Sequence, residues 1–118
     1  MKEKLNIGLF GYGNVGKGIY EILQNSKSVA NEVVGICVKN DKKRRNIDMS
    51  NFTYDKYDLL DDENINLIVE VIDDSDAAFE ILKEAFKRGK DVVTANKKMV
   101  AEHFEELIDL QKEFGCSV

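Results

Sequence analysis

The stretch that most constrains the fold of this chain is "GLFGYGNVGKGIYEIL", residues 8 to 23. Three glycines, Gly11, Gly13 and Gly16, stand between a short apolar run and a longer segment with apolar residues at helical spacing. The pattern predicts a strand, a tight turn and a helix in direct succession. The first glycine would permit the turn, the second would let another molecule approach the backbone, and the third would let helix and strand pack closely.

Four apolar runs are short enough to be buried strands. They read "LNIGLF" at 5–10, "VVGICV" at 33–38, "NLIVEVI" at 66–72 and "DVVTA" at 91–95. Because they are nearly continuous and do not alternate, they predict strands covered on both faces, as in a parallel sheet. A weaker strand is expected near Phe52 to Tyr54.

Helical patterns lie between these runs. Apolar residues recur at helical spacing over 15–23, 78–86 and 100–114. We expect Ser75 to cap the second helix and Gly89 to end it. The polar stretch from Lys39 to Asn51 is expected to be a long surface loop. The alternation predicts an α/β fold of Rossmann type, a doubly wound parallel sheet with right-handed crossovers, incomplete at the C-terminus.

Length and composition limit the classes of protein that fit. The 118 residues, 43% hydrophobic and 33% charged, suffice for one globular domain spanning 1–118. No apolar stretch approaches the roughly 20 residues of a membrane span, and the first residues lack the apolar core of a signal peptide. The net charge of −5 disfavours a nucleic-acid partner. We therefore expect a cytoplasmic protein with no membrane or nucleic-acid partner.

The cysteines and the only histidine give no sign of a metal site. Cys37 and Cys116 form no CxxC pair and have no neighbouring histidine, so we expect two buried thiols without a disulfide. His103 is expected at an exposed turn of the last helix, with a surface role.

The glycine turn is typical of a phosphate-binding site. At the start of the following helix, N–H groups without intrahelical partners and the helix dipole favour negative charge. We therefore expect the backbone of Tyr12, Asn14 and Val15 to hold the pyrophosphate of a dinucleotide. A glycine turn that serves packing alone is the alternative.

The end of the second strand bears on which dinucleotide binds. An acidic residue roughly 20 residues past the loop would accept the ribose 2′-hydroxyl of NAD. Here the strand ends "CVKND", with Lys39 in that position and more basic residues at 42–45. A cation there can pair with the 2′-phosphate of NADP, so the sequence favours NADP, with NAD as the alternative.

Three segments together resemble the N-terminal nucleotide-binding domain of homoserine dehydrogenase. They are "GLFGYGNVGKGI", "VKNDKKRR" and "NINLIVEVIDDSDAAFEILKEAFKRGKDVVTANKKMVAEHFEEL". The resemblance covers essentially the whole chain, and its most specific part is "VVTANK" at 92–97. It implies NAD(P)-dependent interconversion of L-aspartate 4-semialdehyde and L-homoserine, on the route to threonine and methionine.

The resemblance also implies roles for individual residues. It places Lys39 near the adenosine ribose, Ser75 near the cofactor, and four residues beside the nicotinamide: Thr94, Ala95, Asn96 and Lys97. Lys97 is the implied catalytic residue. An ammonium group at the carboxyl end of a parallel strand could stabilise an oxyanion or pass a proton. Lys98 is expected at the surface.

The sequence departs from the family at two places. Asp73 and Asp74 stand where many members have a glycine pair, and carboxylates close to phosphates are unfavourable unless they turn away or cap a helix. We expect capping or surface roles for these two residues and for Glu70 and Glu102. The second departure is at "FGCSV". There the family would continue with another strand and the domain that binds homoserine and supplies a second active-site lysine.

Two functions stay open at this point. The chain is either the cofactor-binding part of a homoserine dehydrogenase, inactive alone, or a free-standing NAD(P)-binding sensor or interaction module. A different dehydrogenase or reductase with the same fold is a third interpretation. In each case an uncovered sheet edge near Val118 favours a homodimer.

Overall fold

The computed structural model describes residues 5–25, 31–38 and 52–116 as alternating strands and helices. The strands are β1 (Leu5–Phe10), β2 (Asn31–Cys37), β3 (Phe52–Thr53), β4 (Leu67–Glu70) and β5 (Asp91–Thr94). The helices are α1 (Asn14–Asn25), α2 (Tyr57–Leu60), α3 (Ser75–Lys87), α4 (Lys97–Glu102) and α5 (Phe104–Phe114). All five expected strands are therefore confirmed, and α2 is an element that the sequence did not predict. The expected loop from Lys39 to Asn51 lies outside the described residues.

The strands form one sheet with the order β3-β2-β1-β4-β5, and its pairings are parallel. The chain moves outward from β1 to β3 and then returns to the other side of β1 with β4. Phe10 pairs with Cys37 on one side and Glu70 on the other, and Glu70 pairs with Thr94. The carboxyl ends of β1, β2, β4 and β5 therefore lie level at one edge. This topology confirms the Rossmann-type α/β fold, with its switch point between β1 and β4.

Two hydrophobic clusters cover the two faces of the sheet, as the continuous apolar runs predicted. On one face Ile7, Leu9 and Val69 pack with α1. On the other, Phe10, Ile68 and Val92 pack beneath α3, α4 and α5. Since both faces are covered, a strand shows no alternation in its sequence. Among the described residues, no helix is long and apolar enough to cross a bilayer.

The first turn of α3 differs from the prediction. Asp74, not Ser75, is the N-cap, and its carboxylate accepts a hydrogen bond from the N–H of Ala77 at 3.1 Å. Ser75 is already the first helical residue, and its hydroxyl donates to Glu102 Oε2 at 2.9 Å. The capping role expected of Ser75 is therefore wrong, whereas that of Asp74 is confirmed. Gly89 follows the helix with φ +74°, as expected of a residue that ends it.

The last predicted helix is two helices that meet at His103. His103 has φ −118° and ψ 25°, and its N–H donates to the carbonyl of Met99 at 3.0 Å. Its imidazole stacks on the ring of Phe79, with the centroids 3.9 Å apart and the planes 5° from parallel. Only 20% of the side chain is exposed. The exposed surface role predicted for His103 is therefore wrong, because the break between α4 and α5 turns the ring onto α3.

Candidate cofactor-binding site

The glycine turn joins β1 to α1 at the switch point of the sheet. Gly11 has φ +101°, a conformation that side chains disfavour, and its N–H donates to the carbonyl of Cys37 at 2.9 Å. The carbonyl of Gly13 accepts the first bond of the helix, from the N–H of Lys17 at 2.9 Å. The chain thus reverses within a few residues, at the edge where the carboxyl ends of the strands lie.

The second and third glycines meet opposite surroundings. A Cβ on Gly16 would lie 2.4 Å from the carbonyl oxygen of Gly11, so only glycine lets α1 approach the turn this closely. A Cβ on Gly13 would contact nothing within 4 Å among the described residues. It would point into open space beside the backbone, where a bound group could approach. Close packing is the role that the sequence assigns to Gly16, and the open space is compatible with the role that it assigns to Gly13.

The first turn of α1 is suited to an anion. α1 begins at Asn14, and its first backbone hydrogen bond is donated by Lys17. The N–H groups of Asn14, Val15 and Gly16 therefore have no acceptor within the helix. The helix dipole adds positive potential at this end. Tyr12 packs its ring edge-on against Phe52 and Tyr20, with centroids 5.2 and 6.0 Å away. The side chain of Tyr12 is thus directed to the aromatic residues of α1 and β3, and only its backbone is available to a group bound at the glycine turn.

A crevice of about 180 Å³ forms where β4 and β5 end. Its lining comprises Val71, Ile72, Asp73, Ala95, Asn96 and Lys97. Lys97, the first residue of α4, is exposed, and so is Ala95. Three of the residues that the family resemblance places beside the nicotinamide therefore share one crevice.

The side chains of Thr94 and Asn96 form hydrogen bonds across the crevice. Asn96 caps α4 by accepting from the N–H of Met99 at 2.9 Å, and its amide nitrogen donates to the carbonyl of Ile72 at 3.1 Å. The Thr94 hydroxyl donates to Glu70 and accepts from the N–H of Asn96 at 3.1 Å. These bonds connect the ends of β4 and β5 and give the crevice a fixed shape.

Glu70 does not have the capping or surface role that we expect from the sequence. It is 0% exposed and neither caps a helix nor lies at the surface. One carboxylate oxygen accepts from the N–H of Ile72 at 2.7 Å, and the other accepts from Thr94. Burial raises the pKa of Glu70, and the hydrogen bonds from Thr94 and Ile72 oppose that rise. An acidic residue inside the apolar run "NLIVEVI" is the sequence signal that marks it.

Negative charge adjoins the crevice at the start of α3. Asp73 is exposed and lines the crevice, whereas the carboxylate of Asp74 is engaged as the N-cap. Ser75 is hydrogen-bonded to Glu102, so its hydroxyl contacts α4. Lys98 is 77% exposed, as expected, and lies 3.8 Å from Glu102. Lys39 and the basic residues at 42–45 lie outside the described residues.

The thiol of Cys37 lies at the end of β2, beside the glycine turn. Burial, together with the carboxylates of Asp55 and Asp58, raises its pKa to about 11. We expect its labelling by a disulfide reagent to accelerate about tenfold for each pH unit from 8 to 10, because only the thiolate reacts. Stopped-flow labelling of a Cys116→Ala variant would isolate this thiol, with the unfolded chain as the control. A rate that levels off near pH 9, as in the unfolded chain, would contradict the prediction.

The parallel sheet, the glycine turn at its switch point and the crevice beyond β4 and β5 define a dinucleotide-binding domain of Rossmann type. Residues 11–118 match the family described as the homoserine dehydrogenase NAD-binding domain. The chain therefore belongs to that family. The resemblance to homoserine dehydrogenase that the sequence indicates is therefore confirmed.

Similar proteins and solved structures include homoserine dehydrogenases. The enzyme of Bacillus subtilis is 32% identical over 98% of this chain, and that of Helicobacter pylori 34% identical over 91%. A crystal structure of Staphylococcus aureus homoserine dehydrogenase superposes with a TM-score of 0.85 over 99% of this chain, at 32% identity. The matches cover 29%, 27% and 32% of those three proteins. The chain thus spans about three tenths of the length of these relatives.

Proposed function

We propose that this chain holds the nicotinamide dinucleotide of a homoserine dehydrogenase. The pyrophosphate binds the backbone of Tyr12, Asn14 and Val15, on the turn formed by Gly11, Gly13 and Gly16. The observation that carries the proposal is the open space beside Gly13, next to the first turn of α1. A phosphate can approach the backbone there, and the helix end favours its charge.

The nicotinamide would lie in the crevice beside Thr94, Ala95, Asn96 and Lys97. When bound, the coenzyme supplies hydride chemistry for the interconversion of L-homoserine and L-aspartate 4-semialdehyde. Lys97 is the residue we assign to the substrate oxygen, where its ammonium group would stabilise negative charge or pass a proton. The crevice is smaller than a complete small-molecule site. We therefore propose that further substrate contacts come from the region that the longer relatives possess.

NADP is the coenzyme we propose, with Lys39 next to its 2′-phosphate. Changing Lys39 to Glu should weaken NADPH binding at least about tenfold, because an attraction between opposite charges becomes a repulsion. NADH binding should change much less, since NADH carries no 2′-phosphate. Calorimetric titration of both coenzymes into both proteins measures this difference.

Lys112→Glu makes the same change of charge on the exposed side of α5 and serves as the matched control. It should leave the preference for NADPH intact. Equal, weak binding of NADPH and NADH by the unmodified chain would reject the role of Lys39. No binding of either coenzyme would reject the proposed function itself.

We also propose a cytoplasmic homodimer, in line with the composition and the sheet edge. In the sheet that the structure describes, β5 is an edge strand, so one side of its backbone supports pairing, and Val93 adds an apolar side chain that is 51% exposed. Val118, near which the sequence predicts this contact, lies outside the described residues.

A further inference from the structure

Three potential metal ligands meet on the side of α3 that faces the junction of α4 and α5. One carboxylate oxygen each of Asp76 and Glu102 and one ring nitrogen of His103 all lie within 4.8 Å of one another. Asp76 is in the first turn of α3, Glu102 ends α4, and His103 joins α4 to α5. Asp76 thus meets two consecutive residues, Glu102 and His103, from a distant part of the sequence, and a search for sequence motifs does not find this cluster.

The imidazole of His103 is held as a metal ligand would be. Its Nδ1 lies 3.3 Å from Glu106 Oε1, and its ring is fixed by stacking on Phe79. Its Nε2 is buried and has no hydrogen-bond partner among the described residues. With Nδ1–H donating to Glu106, Nε2 keeps a free lone pair. A carboxylate that orients the second nitrogen of a histidine is the usual support of a metal-binding histidine.

The charges of the cluster also favour a cation. Two carboxylates this close repel one another unless a positive charge lies between them. Glu102 accepts from the Ser75 hydroxyl at 2.9 Å, a neutral group, and its ion pair with Lys98 is long at 3.8 Å and largely exposed. Such a pair offsets little of the repulsion. A divalent cation would contact both carboxylates and satisfy the buried nitrogen of His103.

We propose that Asp76, Glu102 and His103 bind a divalent transition metal, with Zn²⁺ the favoured ion. One imidazole nitrogen and two carboxylate oxygens are ligands that Zn²⁺ accepts, and water can complete a tetrahedral shell. The bound ion would join the start of α3 to the end of α4. Both helices begin at the cofactor crevice, so the metal would hold its two sides at a fixed separation.

Calorimetric titration of ZnCl₂ into the chain, after dialysis against chelator, tests the site. One Zn²⁺ should bind per chain. Asp76→Asn and His103→Phe should each weaken binding by about 100-fold, and Glu106→Gln by about tenfold through the orientation of the imidazole. His103→Phe keeps an aromatic ring against Phe79, so its loss of binding would not reflect loss of packing. Circular dichroism of each variant shows that it is folded.

Asp109→Asn removes an equal charge from an exposed position of α5 and should bind Zn²⁺ as the unmodified chain does. The spectrum of bound Co²⁺ should lack the charge-transfer band of a thiolate, which excludes binding by Cys37 or Cys116. Unchanged affinity in Asp76→Asn and His103→Phe would overturn the proposal. So would a thiolate band, or no saturable binding of either metal.

Discussion

Replacing Gly16 with alanine is expected to lower the free energy of unfolding by about 3 kcal/mol, a loss of about 10 °C in melting temperature. The added Cβ would lie 2.4 Å from the carbonyl oxygen of Gly11 and 2.9 Å from its carbonyl carbon. Both are backbone atoms, and Gly11 is fixed by its bond to Cys37 and by its φ of +101°. The turn must therefore distort, or α1 must move away from β1. Urea denaturation followed by circular dichroism measures the loss.

Gly13→Ala makes the same change one glycine earlier in the turn's pattern as a control, and we expect it to affect coenzyme affinity and not stability. Its Cβ meets nothing within 4 Å, so stability should change little. Coenzyme affinity should fall at least about tenfold, or about 1.4 kcal/mol, because the methyl group occupies the space proposed for the pyrophosphate. Gly18→Ala, inside α1 and also without contacts, should leave affinity unchanged. A small stability loss in Gly16→Ala, or unchanged coenzyme affinity in Gly13→Ala, would contradict this account of the turn.

The sequence predicts the framework of this domain because the framework depends on local signals. Strands covered on both faces are short and continuously apolar, and β1, β2 and β4 have that property. β5 is also apolar in sequence, but Val93 leaves one of its faces exposed. The glycine turn can be predicted because two of its glycines meet steric requirements: Gly11 has a positive φ, and Gly16 lies against the carbonyl of Gly11. The switch point follows from the order of the elements, because a helix that connects two parallel strands makes a right-handed crossover.

The parts that the sequence did not predict depend on contacts between distant residues. His103 interrupts the last helix although no glycine or proline marks the break, because its ring is held by Phe79, 24 positions earlier. Asp74 and Ser75 are both good capping residues, and the choice between them follows from the contact of Ser75 with Glu102. The ligands of the proposed metal site likewise come from the first turn of α3, the end of α4 and the residue that joins α4 to α5. Contacts of this kind between side chains of different helices depend on how the helices pack, which local sequence patterns do not predict.

Glu70→Ala should cost about 3 kcal/mol of stability, the second large effect expected in this domain. The change removes the acceptor of the Ile72 N–H and of the Thr94 hydroxyl and leaves a gap between β4 and β5. Glu70→Gln retains the shape and an acceptor oxygen, so it should lose much less. Urea denaturation of both variants measures the difference, and equal losses would contradict this prediction, because glutamine keeps the shape and one acceptor oxygen that alanine lacks.

The pH dependence of Glu70→Gln gives an independent check on the buried carboxyl group. Because burial raises the pKa of Glu70 in the folded chain, the folded state favours the protonated form. The stability due to this group is complete below the ordinary pKa of a glutamate and is lost as the pH rises through the raised value. Glutamine cannot ionise, so Glu70→Gln should gain stability relative to the unmodified chain as the pH rises from about 4 to 8. Glu80→Gln removes an equal charge from an exposed position of α3 and is the matched control. Parallel stability curves for Glu70→Gln and the unmodified chain would contradict the raised pKa.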